Sequence, residues 1–358
     1  MGAASVSVSS EKAPHIGYID PLRFLLLAGV VLIHSSMWPE LGLEEAGNAG
    51  VEITTFVSSQ LMSVCVPSFY ILSGYLFFYR CGRLTPDVYV RKLKRRVRTL
   101  LVPYLIWNLF CCALFLIKAG FLGFPGQGII KGGDIDFGHL LEGFLFRPQA
   151  DYYPYAFAFW FIRNLILYVV MAPLVGIAVS RRWLAVAVVA ALALCQCSLA
   201  SGMAYFTIGA AMARGRVDMQ SMKMRQAAFS CALLLLFVLS IIDVYPIPYA
   251  LRACVLVFKN IIGFAVMLNI AIHLEKFRDS GFFATLMSST FFIYAFHQCF
   301  CTVVRKLWIS LLPVDGTPGA IAAYLLSFAT MVAVSLAVYM LLKRLSPSFT
   351  GLITGGRA

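Results

Sequence analysis

The sequence predicts an all-α membrane protein, a polytopic bundle of about ten transmembrane helices with both termini cytoplasmic. Three observations predict it. Of the 358 residues, 61% are hydrophobic and only 13% are charged, outside the range of soluble domains. Apolar windows long enough to cross a hydrocarbon core of about 30 Å recur along the chain without the polar and apolar alternation of barrel strands. The basic residues, which give a net charge of +13, sit in short clusters between those windows. A soluble nucleic-acid-binding face would gather them on one surface, so the charge reads as topology and no nucleic-acid partner is expected.

Breaking the apolar runs at charges, prolines and glycines places spans near 18–38, 52–79, 99–120, 156–179, 183–200, 202–213, 226–244, 250–272, 284–303 and 318–342. The polar stretch 1–17 shows no small-residue cleavage site after the first apolar run, so it is expected to stay as a cytoplasmic tail. The first span reads YIDPLRFLLLAGVVLIHS, and the second contains VPSFYILSGYLFF at 66–78. A basic stretch, RCGRLTPDVYVRKLKRRVR at 80–98, separates the second from the third, LVPYLIWNL. Loop 121–155 follows, glycine-rich and then acidic, long enough for a lid or binding surface. The fourth span carries FAFWFIRNLILYVVMAPLV; Arg181 and Arg182 precede the fifth; RGRVDMQSMKMR at 214–225 divides the sixth from the seventh. Arg252 and Lys259 lie in the eighth, the ninth includes FFIYAFHQ, and the tenth runs into Lys343 and Arg344. With 80–98, 214–225, Arg181/Arg182, Lys276/Arg278 and both termini inside, 20 of the 29 Lys and Arg are cytoplasmic. The membrane domain is expected over 18–345, with 346–358 as a cytoplasmic tail.

The ten cysteines fall largely within apolar spans and make no CxxC or Cys/His spacing, so they read as small apolar thiols and no metal is expected. Four cations, Arg23, Arg163, Arg252 and Lys259, fall inside spans. An arginine in hydrocarbon costs at least about 2.5–3.5 kcal/mol, so each must meet protein or a water-filled cavity. Arg23 and His34 are eleven residues apart, which on a helix is about three turns and ~16 Å along one face. Singly, Arg23 could pair with Asp20 or snorkel, and His34 could be a packing histidine. Together they line one side of one helix.

These segments resemble the acyltransferase-3 family of integral membrane O-acyltransferases, in its single-domain form that acetylates polysaccharides and surface glycans. The resemblance rests on Arg23 and His34 in the first span, VPSFYILSGYLFF, Arg95 and Arg98 before LVPYLIWNL, FAFWFIRNLILYVVMAPLV, and FFIYAFHQ, in that order from about residue 16 to 345. It implies a bacterial inner-membrane enzyme that moves an acyl group, acetyl in the first instance, from cytoplasmic acetyl-CoA to a hydroxyl of a glycan or lipid-linked saccharide. His34 would be general base or acyl carrier, two roles that stay open, and Arg23 would stabilise developing charge or hold the donor's pantetheine end. Arg95 and Arg98, with Arg91 and Lys94, would hold the phosphates of acyl-CoA, although membrane lipid headgroups would satisfy the same loop. Arg163, Ser73, Tyr75, Trp160, His297 and Glu52 are expected around the substrate cavity. Ser73 has no nucleophile elbow about it and reads first as a helix-packing residue; Glu52 and Asp151 are candidate partners for a cation or imidazole. The alternative is a transporter or flippase whose intramembrane cations line an anion path, but no inverted repeat is visible. A non-catalytic scaffold with charges pairing its helices is a third reading.

Overall fold

The computed structural model describes residues 17–36, 48–82, 84–122, 130–131, 134–135, 137–145, 154–195 and 197–356. Each of the ten expected spans overlaps a helix, although the first, 18–38, ends outside the described residues and the fifth, 183–200, straddles two helices. α1 is Ile19–His34 and α2 is the continuous Ala49–Phe78. α3 runs Pro86–Ile117, and α4, Phe157–Val170, bends by 64° into α5, Ala172–Ala178. α6 is Arg182–Ala193, α7 Ser198–Arg214, α8 Gln226–Ile242 and α9 Tyr249–Phe277. Gly281–Ser288, Thr290–Phe296 and Cys301–Leu311 are α10, α11 and α12, followed by α13, Thr317–Leu345, and α14, Pro347–Ile353. The strands, Ile130–Lys131 and Asp134–Ile135, form a two-residue antiparallel pair in the long loop.

Among the described residues, four helices, α2, α3, α9 and α13, are long and apolar enough to cross a membrane, and the bent α4–α5 pair makes a fifth if it counts as one span. The other five expected spans are shorter helices or are interrupted. The ninth breaks at Ser289 into α10 and α11, because two serines and a threonine at 288–290 turn their hydroxyls onto carbonyls of the preceding turn. Outward apolar side chains such as Leu234 and Phe237 on α8 and Leu341 on α13 stay exposed, as a lipid-facing surface requires.

Close backbone contact joins α2 to α7. A Cβ on Gly74 would lie 2.0 Å from the carbonyl oxygen of Phe206, and one on Gly209 1.9 Å from that of Ile71. Only glycine permits this approach, which gives the packing contact that membrane helices substitute for hydrophobic exclusion. α2 also carries a π-helical turn at Val57–Leu61, where Ser58 donates to the Leu32 carbonyl at 3.2 Å and so steadies the far end of α1.

The segment beyond 345, expected as a tail, is docked: α14 lies against α3, with the Trp107 indole donating to the Ile353 carbonyl at 3.1 Å. The expected N-terminal tail, Asp151 and most of loop 121–155 lie outside the described residues.

All four intramembrane cations meet protein partners, three of them away from the cavities. Lys259, 1% exposed, donates to Asp243 at 2.6 Å and to Gln60 at 3.3 Å, and Arg252 meets the other Asp243 oxygen at 3.2 Å. One acid at the end of α8 thus pairs both cations of α9. Arg163 donates to the Leu145 carbonyl at 2.7 Å and to the Asn164 side chain, tying α4 to the turn at 143–145.

Candidate active site

Arg23, the fourth cation, opens onto a cavity. Its guanidinium is 3.2 Å from Asp20, the local pair the sequence allows, but its side chain keeps 41% exposure. The cavity, about 480 Å³, is lined by Asp20, Arg23 and Leu27 of α1, Ser73 and Leu76 of α2, Arg96 and Leu100 of α3, and Arg278, Asp279 and Ser288 beyond α9. Three guanidinium groups and two carboxylates therefore line this chamber, together with the hydroxyls of Ser73, Ser288 and Thr290 and a set of apolar side chains.

A second cavity of about 460 Å³ begins where the first ends. Val30, Ile33 and His34 of α1 line it, with Ser63 and Tyr70 of α2, Trp160 of α4, and Ser198, Ser201 and Tyr205 of α7. Phe69, Phe161 and Tyr294 line both cavities. These rings form the partition: Phe69 and Phe161 are 5.6 Å apart between centroids, Phe161 and Tyr294 6.3 Å, and the Tyr294 hydroxyl is anchored on the Ala158 carbonyl. Along α1, Arg23 and Leu27 face the first chamber and Val30 and His34 the second, the single face that the spacing predicts.

His34 ends α1, where helix carbonyls lack partners. Arg305 of α12 donates to its carbonyl at 2.5 Å, placing a cation at the negative end of the helix dipole. Ser35 turns back to the Val31 carbonyl at 2.8 Å. The backbone under His34 is thereby fixed, while its ring meets Phe157 edge-on at 6.1 Å and the His297 ring at 5.3 Å. Arg305 stands in α12 and is 8% exposed, a site-supporting cation that the sequence reading did not single out. The signal was present, since Cys301, Val304, Arg305 and Trp308 share one helical face.

The other expected site residues divide. Ser73 and Trp160 line cavities, Ser73 beside Arg23 and Trp160 beside His34. His297 is fully buried beside His34. Tyr75 is buried away from both chambers, its hydroxyl donating to the Val217 carbonyl at 2.9 Å, and Glu52 is exposed in the first turn of α2. Arg163 lines neither chamber. Arg91, Lys94, Arg95 and Arg98 are exposed on the outer face of α3, and Arg96 between them points into the first cavity. Lys92 bends to the Phe77 carbonyl at the end of α2 at 2.5 Å. Tyr89, Leu93, Arg96 and Leu100 recur at helical spacing, the pattern that marks an inward stripe and singles out Arg96. A π-helical turn at Val97–Leu101 follows directly.

A family model for an acyltransferase domain, Acyl_transf_3, matches residues 16–340. The succinoglycan biosynthesis protein ExoH of Rhizobium meliloti (strain 1021) is 30% identical over 166 residues, 46% of this chain and 43% of the relative. The matched region thus spans less than half the length of that protein. No solved structure matches the chain. Two cavities meeting across a ring partition, with arginines on one side and a histidine on the other, lie almost wholly within the matched domain, and the chain belongs to the acyltransferase-3 family.

Proposed function

We propose that the protein is a multi-pass inner-membrane O-acyltransferase, with both termini cytoplasmic, that moves an acetyl group from cytoplasmic acetyl-CoA to a hydroxyl of a surface or lipid-linked glycan. One observation carries the reading: a cationic chamber and a histidine-lined chamber share Phe69, Phe161 and Tyr294 as a common wall. An enzyme whose polyanionic donor and hydroxyl acceptor come from opposite sides of a membrane needs such a pair of chambers. The glycan acceptor is supported by the relative's name, which ties that protein to succinoglycan biosynthesis.

In this reading the exposed Arg91, Lys94, Arg95 and Arg98 gather acyl-CoA at the mouth. Arg96 and Arg278 hold its phosphates by charge-assisted hydrogen bonds. Arg23, oriented by Asp20, steadies the pantetheine arm or the charge that develops as the thioester is attacked. The thioester reaches the ring partition, and the acceptor hydroxyl enters the chamber of Trp160 and His34. His34 takes the hydroxyl proton as the oxygen bonds to the acyl carbon; the C–S bond breaks, and the proton returns to the departing thiolate. Alternatively His34 carries the acyl group between two displacements.

The test is transfer of labelled acetyl from acetyl-CoA to membrane glycan in reconstituted vesicles. His34→Ala is expected to lower the rate by about 10²–10⁴-fold at unchanged protein level; full retention would overturn the role of His34. Intact mass after incubation with acetyl-CoA and no acceptor separates the routes, since an acyl-histidine adds one acetyl mass and a general base adds none.

A further inference from the structure

His297 starts the turn after α11, and its ring has no exposed surface. Its Nδ1 lies 2.8 Å from the Ile293 carbonyl oxygen. A carbonyl only accepts, so Nδ1 carries the ring proton, and in the neutral ring Nε2 is the nitrogen with the lone pair. That Nε2 is buried without a hydrogen-bond partner among the described residues. Leaving a buried acceptor unmet is unfavourable, and an atom so placed calls for a specific reason.

The reason lies beside it. The His34 centroid is 5.3 Å from that of His297, with the ring planes tilted by 46°. Tyr294 also borders His297, but its hydroxyl is committed to the Ala158 carbonyl. The carbonyl of His34 is clamped by Arg305, so the free motion left to His34 is rotation of its own side chain. A small turn of that ring, or one bridging water, brings an N–H of His34 onto Nε2 of His297. Hydrogen bonds at catalytic groups are commonly loose until substrate is bound.

We propose that His297 is a positioning residue that accepts the N–H of His34 on its bare Nε2 and so keeps the lone pair of His34 on the nitrogen facing the second cavity. This rests on the reading of His34 as the base or acyl carrier, either of which needs that lone pair turned to the substrate. His34 takes the hydroxyl proton on its cavity-side nitrogen while its other N–H stays on His297. The imidazolium then returns the same proton to the thiolate, and His297 keeps its own proton on the Ile293 carbonyl throughout. A carboxylate in this place would bind the imidazolium more strongly; a neutral acceptor sets the tautomer without putting a charge into the apolar wall.

The experiment is 15N NMR of histidine-labelled protein in lipid nanodiscs, with the His34 signals identified by their loss in His34→Ala. Wild type is expected to show one neutral tautomer at His34; a mixture of both overturns the proposal without any variant. His297→Gln supplies a carbonyl acceptor, and His297→Met has similar length with only a weak one. His34 should keep its single tautomer in His297→Gln and lose it in His297→Met. In parallel, kcat for acetyl transfer should fall about ten- to hundredfold in His297→Met, with KM for acetyl-CoA unchanged, and recover substantially in His297→Gln. Equal spectra and equal rates for the two variants would overturn it. Absence of any acetyl transfer by wild type would instead overturn the proposed function, leaving the tautomer result to be read by itself.

Discussion

At the scale of single residues, Arg96 and its exposed neighbours make separable predictions. Arg96 and Arg278 are half-buried on the wall of the first cavity and so are screened less by salt than Arg95 and Arg98, which stand in solvent on the far side of α3. Removing a charge-assisted hydrogen bond costs about 1.5–3 kcal/mol, roughly ten- to hundredfold in affinity. Arg96→Ala and Arg278→Ala should therefore raise KM for acetyl-CoA by about that factor at low and high salt alike. Arg95→Ala with Arg98→Ala should raise it at low ionic strength only, an effect that 0.5 M NaCl abolishes. Steady-state kinetics at two salt concentrations checks both. The sequence reading put Arg95 and Arg98 foremost because a motif gives spacing along the chain, not the face of the helix. The inward stripe through Tyr89, Leu93 and Leu100 carries the missing information, and it selects Arg96.

At the scale of elements, the α2–α7 contact holds the wall that carries Ser73 to one cavity, Ser201 and Tyr205 to the other, and Phe69 to both. Its glycines admit no side chain without moving a backbone carbonyl. Gly209→Val should destabilise the protein by about 1–3 kcal/mol, the usual range for overpacking, and lower its unfolding temperature in detergent. Gly82→Val, where a side chain would meet open space, is the control and should leave it unchanged. The positions of helices were legible in the sequence, because apolar run length and charge punctuation are local properties. Their breaks were less so. The interruption at Ser289 and the bend between α4 and α5 depend on hydroxyl and proline chemistry inside runs that remain apolar throughout.

At the scale of the whole molecule, the proposed division of labour requires the end bearing 80–98 and 214–225 to face the cytoplasm. A fluorescent protein fused after Ala358, with alkaline phosphatase at the same site in a parallel fusion, checks it. Fluorescence with no phosphatase activity is expected; the reverse result would put the cationic cavity on the side away from acyl-CoA. The docking of α14 against Trp107 makes that terminus part of the domain, so the fusion needs a flexible linker to leave the contact intact.

What the sequence determined by itself follows from local chemistry. Apolar runs set where helices form, basic clusters mark one end of the bundle, and eleven-residue spacing puts Arg23 and His34 on one face of α1. Only the tertiary structure decided which partners the cations meet and which of them opens onto a cavity. Asp243 is close to both Lys259 and Arg252 because α8 packs against α9; Arg305 reaches the end of α1 from 271 residues away. The ring partition is drawn from three helices, and the neighbour of His34 is a histidine in the turn that follows one of them, α11. Contacts between residues far apart in the chain leave no periodicity to read, because their geometry is set by helix packing.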